Sequence, residues 1–260
     1  MNMYSVINMD IVKSRDIINR KDAQDSLKKF IQKINKENKD LLLAPITFTL
    51  GDEWQIVLKR PFESYRIIDK FQSFLRKYEI GIYIGIGVGK ISTNIYEDTR
   101  LMDGECFIRA REALGIVKNK NRFYNENLNS KENNVYFNAE KISFEKIYDG
   151  IREIASTSDK DYWSEDKTNS DIIPLDINTI INTIIENTEV LKSKITGKQM
   201  KTIELYRKEG SYSNMIKKND NISKSSISQK LNDSNYFLIE SNKNVIYKLL
   251  KLYCQIREGN

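Results

Sequence analysis

The sequence of 260 residues contains no histidine. Histidine is the side chain that most often changes charge near neutral pH, and it serves Ser-His-Asp triads and most zinc sites, so these chemistries are excluded. Any reaction must depend on carboxylates, lysine, arginine, hydroxyl groups or a hard metal ion. Hard ions prefer oxygen ligands, so Mg²⁺ or Mn²⁺ is the cofactor that we expect beside a cluster of acids.

Cysteine and long apolar runs are scarce as well. Cys106 and Cys254 lie far apart and form no CxxC pair, which predicts reduced thiols in a cytoplasmic protein. No run approaches the roughly 20 apolar residues of a membrane helix, and the N-terminal MNMYSVINMDIV lacks the basic segment of a secretory signal. We expect a soluble cytoplasmic protein that has no membrane partner.

Charge is unevenly distributed along the chain. Residues 190–260 contain 14 Lys and Arg against 6 Asp and Glu, whereas residues 1–189 contain 28 against 30. A basic C-terminal part favours an acidic partner, most often nucleic acid. A solvated, lysine-rich helical surface has the same composition, and charge alone does not separate the two interpretations.

Hydrophobic periodicity predicts the order β, α, β-hairpin, α, β, α, β for the first half of the chain. The predicted strands cover residues 3–9, 46–50, 54–58 and 80–89, with strand-like runs near 122–125 and 135–138, and the predicted helices cover 20–38, 65–78 and 103–118. This order favours an α+β sandwich of the ferredoxin-like or palm type, with the helices on one face of the sheet.

Three segments are expected along the chain. A palm domain covers residues 1–155, and residues 191–260 form an all-α helix-turn-helix domain. Residues 156–190 between them supply a linker and a connecting helix, because residues 156–171 read STSDKDYWSEDKTNSD, a polar composition typical of an exposed loop.

Acidic residues stand at two predicted strand ends. Asp10 closes the first strand, and Asp52 and Glu53 follow Gly51 at the tip of the hairpin. In a palm the first strand lies beside the hairpin, so these carboxylates would project from one edge, where a divalent cation relieves their repulsion. Two such ions can bind a triphosphate and activate a hydroxyl group. Each acid alone is also ordinary turn chemistry.

Residues near these acids offer further contacts for phosphate. Ser14 and Arg15 follow Asp10 at the expected start of a helix, where backbone N–H groups and a guanidinium suit phosphate oxygens. Gly85, Gly87 and Gly89 lie in the strand over residues 80–89. They either allow a nucleotide or a helix to approach the sheet or accommodate bulky neighbours.

Four blocks, INMDIVKSR, TLGDEWQ, IGIGVGKIST and DGECFIRAREAL, resemble the SatD family of bacterial proteins. They resemble the class III nucleotidyl cyclase domain more distantly, and GGDEF domains and polymerase palms more distantly still. The resemblance implies that Asp10 and Asp52 bind Mg²⁺ or Mn²⁺, with the Ile11 carbonyl as a further ligand and Glu53 as a third acid. It also implies a nucleoside triphosphate as ligand and a homodimer.

The sequence departs from the cyclase pattern at several positions. Phe48 stands where those enzymes place a base-selecting lysine, and Ile108 stands where they place a transition-state asparagine. Their following arginine corresponds to Glu112, although Arg109 and Arg111 are adjacent. Arg109 and Arg111 either reach phosphates or belong to a solvated helix face.

The C-terminal part has the pattern of a helix-turn-helix. Thr196 caps a first predicted helix, residues 212–218 form a short second one, and Ser223 or Ser225 caps a third with Ile227 and Leu231 inward. The outward residues of the third helix suit phosphates and base edges of DNA; they are Lys224, Ser225, Ser226, Ser228, Gln229 and Lys230. A protein-interaction module of the same fold is the alternative.

The sequence therefore leaves three hypotheses for function. The first is a cytoplasmic regulator whose palm binds a metal–nucleotide and whose helix-turn-helix binds DNA. The second is an active nucleotidyl cyclase or nucleotidyltransferase that uses two metal ions on Asp10 and Asp52. The third is an interaction adaptor with a vestigial site. Nucleotide turnover separates the second hypothesis from the first.

Overall fold

The computed structural model describes residues 2–17, 20–119, 127–142, 176–218 and 222–259. The strands are β1 (Tyr4–Ile11), β2 (Thr47–Leu50), β3 (Glu53–Leu58), β4 (Ile82–Gly89) and β5 (Val135–Asn138). The helices are α1 (Arg20–Glu37), α2 (Ser64–Leu75), α3 (Glu105–Lys118), α4 (Ile177–Ser193), α5 (Gly197–Glu209), α6 (Tyr212–Lys218), α7 (Lys224–Asp233) and α8 (Tyr236–Gly259). The predicted run near residues 122–125 and the predicted boundary at residues 155–156 lie outside the described residues.

The five strands form one sheet in the order β2-β3-β1-β4-β5. Strand β1 is central and antiparallel to both β3 and β4, while β5 runs parallel to β4. The predicted α+β palm arrangement, with the first strand beside the hairpin and a helical C-terminal region, is confirmed. Among the described residues, no helix has an apolar stretch long enough to cross a membrane.

One face of the sheet carries the main hydrophobic core. Apolar residues alternate along the strands, so that Ile7 and Met9 of β1 and Trp54 of β3 point to this face, and all three are fully buried. Helices α1, α2, α4 and α8 cover it; Leu27 of α1 and Phe71 of α2 belong to the same core.

The opposite face is covered by α3. A Cβ atom added to Gly85 or Gly87 would lie closer than 3.0 Å to the backbone of α3, so only glycine permits this contact. The expectation that all helices share one face is therefore wrong for α3. Of the interpretations offered for the strand glycines, close approach of a helix is confirmed.

The α3 contact follows a simple register. Gly89, Gly87 and Gly85 lie against Cys106, Ala110 and Leu114 in that order. Two residues of strand advance about 6.6 Å and four residues of helix about 6.0 Å, so the two elements stay in step. Helix α3 thus runs antiparallel to β4, towards the end of the sheet where β4 begins.

Strand β5 lies at the edge of the sheet, and α4 supplies its missing partners. The side-chain amide of Asn182 accepts from the Phe137 N–H at 2.8 Å and donates to the Phe137 carbonyl at 2.8 Å. One turn earlier, Asn178 donates to the Ala139 carbonyl at 2.6 Å. A helix side chain thereby takes the place of a sixth strand.

Helices α5, α6 and α7 enclose a second, smaller core, which includes Ile203, Met215, Ile227 and Leu231. Thr196 forms a capping box at the start of α5, as expected, and Ser223 caps α7 by accepting from the Ser226 N–H. These caps satisfy backbone donors that the first turn of a helix leaves unpaired.

Helix α8 belongs to both cores. It begins at Tyr236, and its first turns pack Tyr236 and Ile239 into the small core. Further along, Ile246, Leu250 and Tyr253 enter the core beneath the sheet. The helix-turn-helix is therefore attached to the palm by a continuous helix.

A buried ionic group, which we call the junction cluster, lies where the palm meets the helix-turn-helix. Asp69 of α2 accepts charge-assisted contacts from Lys192 of α4 at 3.3 Å, Arg207 of α5 at 3.4 Å and Lys243 of α8 at 2.7 Å. Burial by itself raises the pKa of Asp69, but these three cations outweigh it and hold the pKa well below its usual value.

Candidate functional site

The register of the sheet brings two of the predicted acids together. Asp10 of β1 is directly opposite Glu53 of β3 on one side and Tyr83 of β4 on the other. Tyr83 is two residues before Gly85, so this row lies on the face covered by α3. The end of the sheet with the row Glu53, Asp10, Tyr83 is called the acid edge below.

Lys118, the last residue of α3, lies over the acid edge. Its Nζ is 2.7 Å from Asp10 Oδ2 and 3.9 Å from Glu53 Oε2. Leu114 of α3 lies against Gly85 of β4. Lys118 is four residues further along the helix, and it therefore lies two residues further along the strand, at the row that contains Asp10. Four residues beyond Leu114, it continues the helix–strand register by one step, which carries it from Gly85 to the row of Asp10. The side chain of Asp10 is 16% exposed and that of Lys118 is 38% exposed, so the pair is open to solvent on one side.

The pKa of Glu53 is raised, and burial is the main cause. Burial raises the pKa of Glu53 and is the largest influence; Lys118 and Arg111 lower it, whereas Asp10 and Asp52 raise it. The net result is a raised pKa, because the cost of burying the charged carboxylate exceeds the lowering by the two cations. Three acids, Asp10, Asp52 and Glu53, act here with two cations, Lys118 and Arg111, and one negative charge is left over for a further cation.

Asp52 lies in the turn between β2 and β3. Gly51 takes the left-handed conformation, with φ of 57°, and the strands end at Leu50 and resume at Glu53. The predicted hairpin is confirmed, but Glu53, expected at its tip, is the first residue of β3. The structure pairs Asp10 with Glu53 across the strands, while Asp52 acts on Glu53 through its charge.

The donor set at the acid edge suits a divalent cation in part. Asp10 and Glu53 already converge on one positive charge, the ammonium of Lys118, which occupies the place that an ion between them would take. Within the part of the chain that the structure describes, no group of three acidic or cysteine side chains is arranged to hold a metal. The pair fits one ion, with water or a ligand completing its shell.

A buried amide pair lies one row further into the sheet. Gln55 Nε2 donates to Asn8 Oδ1 at 2.8 Å, and both side chains are buried beside Gly85. Going towards the acid edge, the face covered by α3 changes from Val6 and Val57 to this amide pair and then to the acids. Sequence reasoning missed Asn8, Gln55 and Lys118.

The residues that follow β1 form a single turn separate from α1. Ser14, Arg15 and Asp16 make a one-turn 3₁₀ helix after Lys13, which has φ of 49°, and α1 begins only at Arg20. The expectation that Ser14 and Arg15 begin a longer helix is wrong. Arg15 is exposed and Ser14 half-buried, while Ile11 is buried and paired with Ile82. Their contacts with phosphate stay a prediction.

The two arginines of α3 differ in position. Arg109 donates to the Val88 carbonyl at 2.7 Å and pairs with Glu105 at 3.2 Å. It is nine residues, or about 13 Å along the helix, from Lys118, so it serves the far end of β4. Arg111 is exposed, and its charge acts on Glu53. Of the two arginines, Arg111 is the one near the acid edge.

Comparison with known proteins identifies the family. The model of the SatD family matches residues 4–143. The chain belongs to the SatD family. The matched segment contains the whole sheet with α1 to α3 and ends before α4. No curated protein matches the chain.

Solved structures similar to this SatD family chain include two fungal cyclase domains. The guanylate cyclase domain of RhGC from Catenaria anguillulae, in complex with GTP, is 18% identical, covers 44% of this chain and 72% of its own, and has a TM-score of 0.32. The dimeric guanylyl cyclase domain of the RhoGC fusion protein from Blastocladiella emersonii is 18% identical, covers 44% and 73%, and has a TM-score of 0.33.

The third helix of the helix-turn-helix in this SatD family chain presents its polar residues outwards. Ile227 and Leu231 are fully buried, whereas Lys224, Ser225 and Gln229 are exposed. Ser226, Ser228 and Lys230 are half-buried. All six predicted DNA-contacting residues therefore lie outside the small core.

Proposed function

We propose that this SatD family protein is a cytoplasmic bacterial regulator, a homodimer whose palm binds a nucleoside triphosphate with Mg²⁺ or Mn²⁺ and whose helix-turn-helix binds DNA. The observation that carries the proposal is the acid edge, where Asp10 and Glu53 from neighbouring strands converge on one cation. Three acids and two cations act at this end of the sheet, and a bound cation would relieve the remaining repulsion.

Each residue at the acid edge has a role in the proposal. Asp10 and Glu53 hold the ion, and Asp52 adds negative charge from the adjacent turn. Bound there, the ion would neutralise the acids and present a positive charge to triphosphate oxygens. Arg111 and Arg15 are both exposed, and their guanidinium groups can pair with phosphate from the solvent side.

The nucleotide arm is tested by the thermal stability of the purified chain with each of the four nucleoside triphosphates and Mn²⁺. Wild type is expected to melt at a higher temperature with one nucleotide, because a ligand that binds only the folded state stabilises it. Asp10→Asn and Asp52→Asn should lose the shift, and Asp25→Asn, an exposed acid of α1, should keep it.

Chromatography of the same mixtures separates a sensor from an enzyme. A new nucleotide product that wild type makes and Asp52→Asn does not would replace the sensor with a nucleotidyl cyclase or nucleotidyltransferase. The absence of both product and thermal shift with all four nucleotides would refute the nucleotide arm. The palm would then act as a scaffold.

The DNA arm depends on the exposed face of α7. A recognition helix needs donors that reach phosphates and base edges while its other face is held by a core, and α7 has both properties. Lys224 precedes two serines in the first turn, and Gln229 and Lys230 follow in the next. The excess of basic residues over acidic ones after residue 190 favours the same partner.

Binding to mixed-sequence duplex DNA at several salt concentrations tests this arm. Replacing both Lys224 and Lys230 with alanine should weaken binding and reduce the slope of log affinity against log salt by about 2, because each phosphate contact releases counterions. Lys251→Ala, an exposed lysine of α8 outside the helix-turn-helix, serves as control. Equal binding by the double variant and wild type would eliminate α7 as the DNA contact.

A further inference from the structure

We infer that Lys118 is an internal cation that competes with a free divalent ion for Asp10 and Glu53, and that it thereby makes the acid edge selective for a metal ion carried by a polyphosphate. The inference rests on the proposed function and adds a specificity residue to it. Its basis is the place of the ammonium between the two carboxylates.

The ammonium of Lys118 and a metal ion bound by Asp10 and Glu53 would overlap in space. Lys118 Nζ lies at hydrogen-bonding distance from Asp10 and within ion-pair distance of Glu53. A metal ion held by the same two carboxylates would occupy the same space. The ammonium must leave before the ion enters, so its contacts with Asp10 and Glu53 oppose the binding of a free ion.

Only the side chain of Lys118 can move to make room for the ion. The backbone of α3 lies against Gly85 and Gly87 so closely that no Cβ atom would fit between them. Helix α3 therefore stays in place while the four-carbon stem of Lys118, which is partly exposed, turns towards solvent. The displaced ammonium remains within a side-chain length of the acid edge.

The new surroundings of the displaced Lys118 ammonium depend on whether the metal ion carries a polyphosphate. With a free ion, Lys118 exchanges two carboxylates for water and lies near a second positive charge, which is unfavourable. With a metal–polyphosphate, it meets phosphate oxygens and regains a charge-assisted contact. Lys118 therefore penalises the free ion and favours the ion with its phosphate.

The experiment measures calorimetric binding of Mn²⁺ alone and of preformed Mn²⁺–triphosphate to the full chain. Lys118→Met, which keeps most of the stem and removes the charge, should bind free Mn²⁺ about fivefold more tightly, the effect of one lost ion pair. It should bind Mn²⁺–triphosphate more weakly than wild type. Lys118→Arg should retain the wild-type preference.

Controls separate this inference from the proposed function. Lys33→Met removes an exposed charge of α1 and should behave as wild type with both ligands, and circular dichroism checks the fold of each variant. If Lys118→Met binds free Mn²⁺ no more tightly, or gains equally for both ligands, the selectivity of Lys118 is refuted while the metal site stands. If no variant binds Mn²⁺ in an Asp10-dependent way, both proposals fail.

Discussion

Two ionic groups in this molecule differ in their balance of charge. In the junction cluster, Asp69 is surrounded by Lys192, Arg207 and Lys243, and these three cations also pair with Glu189 and Glu240, so that three acids match three cations. At the acid edge, Asp10 and Glu53 share a single ammonium. Buried acids and cations in equal number form a structural tie, whereas two carboxylates that share one cation leave a place where another cation can bind.

The pKa directions express the same contrast. Burial raises the pKa of both Asp69 and Glu53, but the surrounding cations reverse the direction for Asp69 and fail to do so for Glu53. Exposure differs as well, since the lysines Lys192 and Lys243 are 13% and 11% exposed and Lys118 is 38% exposed. Of the three cations of the junction cluster, Arg207 alone reaches solvent to a similar extent, at 34%.

The largest expected effect comes from removing the buried acid. Asp69→Ala removes the acid that Lys192 and Lys243 share and leaves three cations with two acids in a largely buried place, which should lower the free energy of unfolding by about 3–5 kcal/mol. Urea unfolding measures this loss. Asp25→Ala, an exposed acid of α1 paired with Lys28, should change the same free energy by less than about 0.5 kcal/mol. A similar effect of both substitutions would remove the distinction between the two kinds of group.

Acid should weaken the junction cluster in a defined window. Because the pKa of Asp69 in the folded state is below its ordinary value of 3.8, its stabilisation is fully present above about pH 4 to 5 and is lost as the pH falls towards the folded-state pKa. Urea midpoints measured down to about pH 2 should decline more steeply for wild type than for Asp69→Asn. Parallel declines would show that other acids dominate.

Packing of α3 on β4, rather than charge, fixes the backbone position of Lys118. A glycine substitution can test this. Gly87→Ala places a methyl group against the backbone of Ala110 and Cys106, which should cost about 1–3 kcal/mol in unfolding free energy and displace α3. The loss of the contact between Lys118 and Asp10 should then raise the affinity for free Mn²⁺, as in Lys118→Met. Gly115→Ala, on the same helix with no atom within 4 Å of the new methyl, should stabilise by up to about 1 kcal/mol.

Of the acids in the two ionic groups, Asp10 has the smaller expected effect on stability when it is replaced, as in Asp10→Asn. The acid edge has more negative charge than Lys118 neutralises, and Glu53 stays available to that lysine, so the free energy of unfolding should change by less than about 1 kcal/mol. Mn²⁺ binding, measured by calorimetry, should nevertheless be abolished. A loss as large as that of Asp69→Ala would mean that the acid edge is a structural tie.

The sequence predicted the elements that periodicity determines. Strands β1 to β4, the hairpin turn at Gly51 and the burial of Ile227 and Leu231 follow from local spacing. The pairing of Asp10 with Glu53 depends on register, which the sequence left open, and Lys118 arrives through packing over 108 residues of chain. One signal in the sequence would have located Lys118. The strand glycines recur every two residues, while Cys106, Ala110 and Leu114 of the facing helix recur every four.

The junction cluster was beyond prediction for a related reason. Its members come from helices α2, α4, α5 and α8, and no short motif connects Asp69 with Lys243 across 174 residues. Charged residues at helical spacing are ordinarily solvated, so their burial becomes visible only when the helices are assembled. The expected DNA contacts of α7 required no such assembly, because capping and burial patterns already oriented that helix.

The edge of the sheet carries a consequence for the behaviour of the protein at high concentration. An uncovered edge strand offers its backbone groups to any other extended chain, which leads to strand exchange and aggregation. In this molecule Asn182 occupies both backbone groups of Phe137, and Asn178 occupies the carbonyl of Ala139. Two amide side chains of α4 thus block the pairing of β5 with another chain. Replacing them would leave the backbone groups of β5 free to pair with a second molecule, and it would not touch either ionic group.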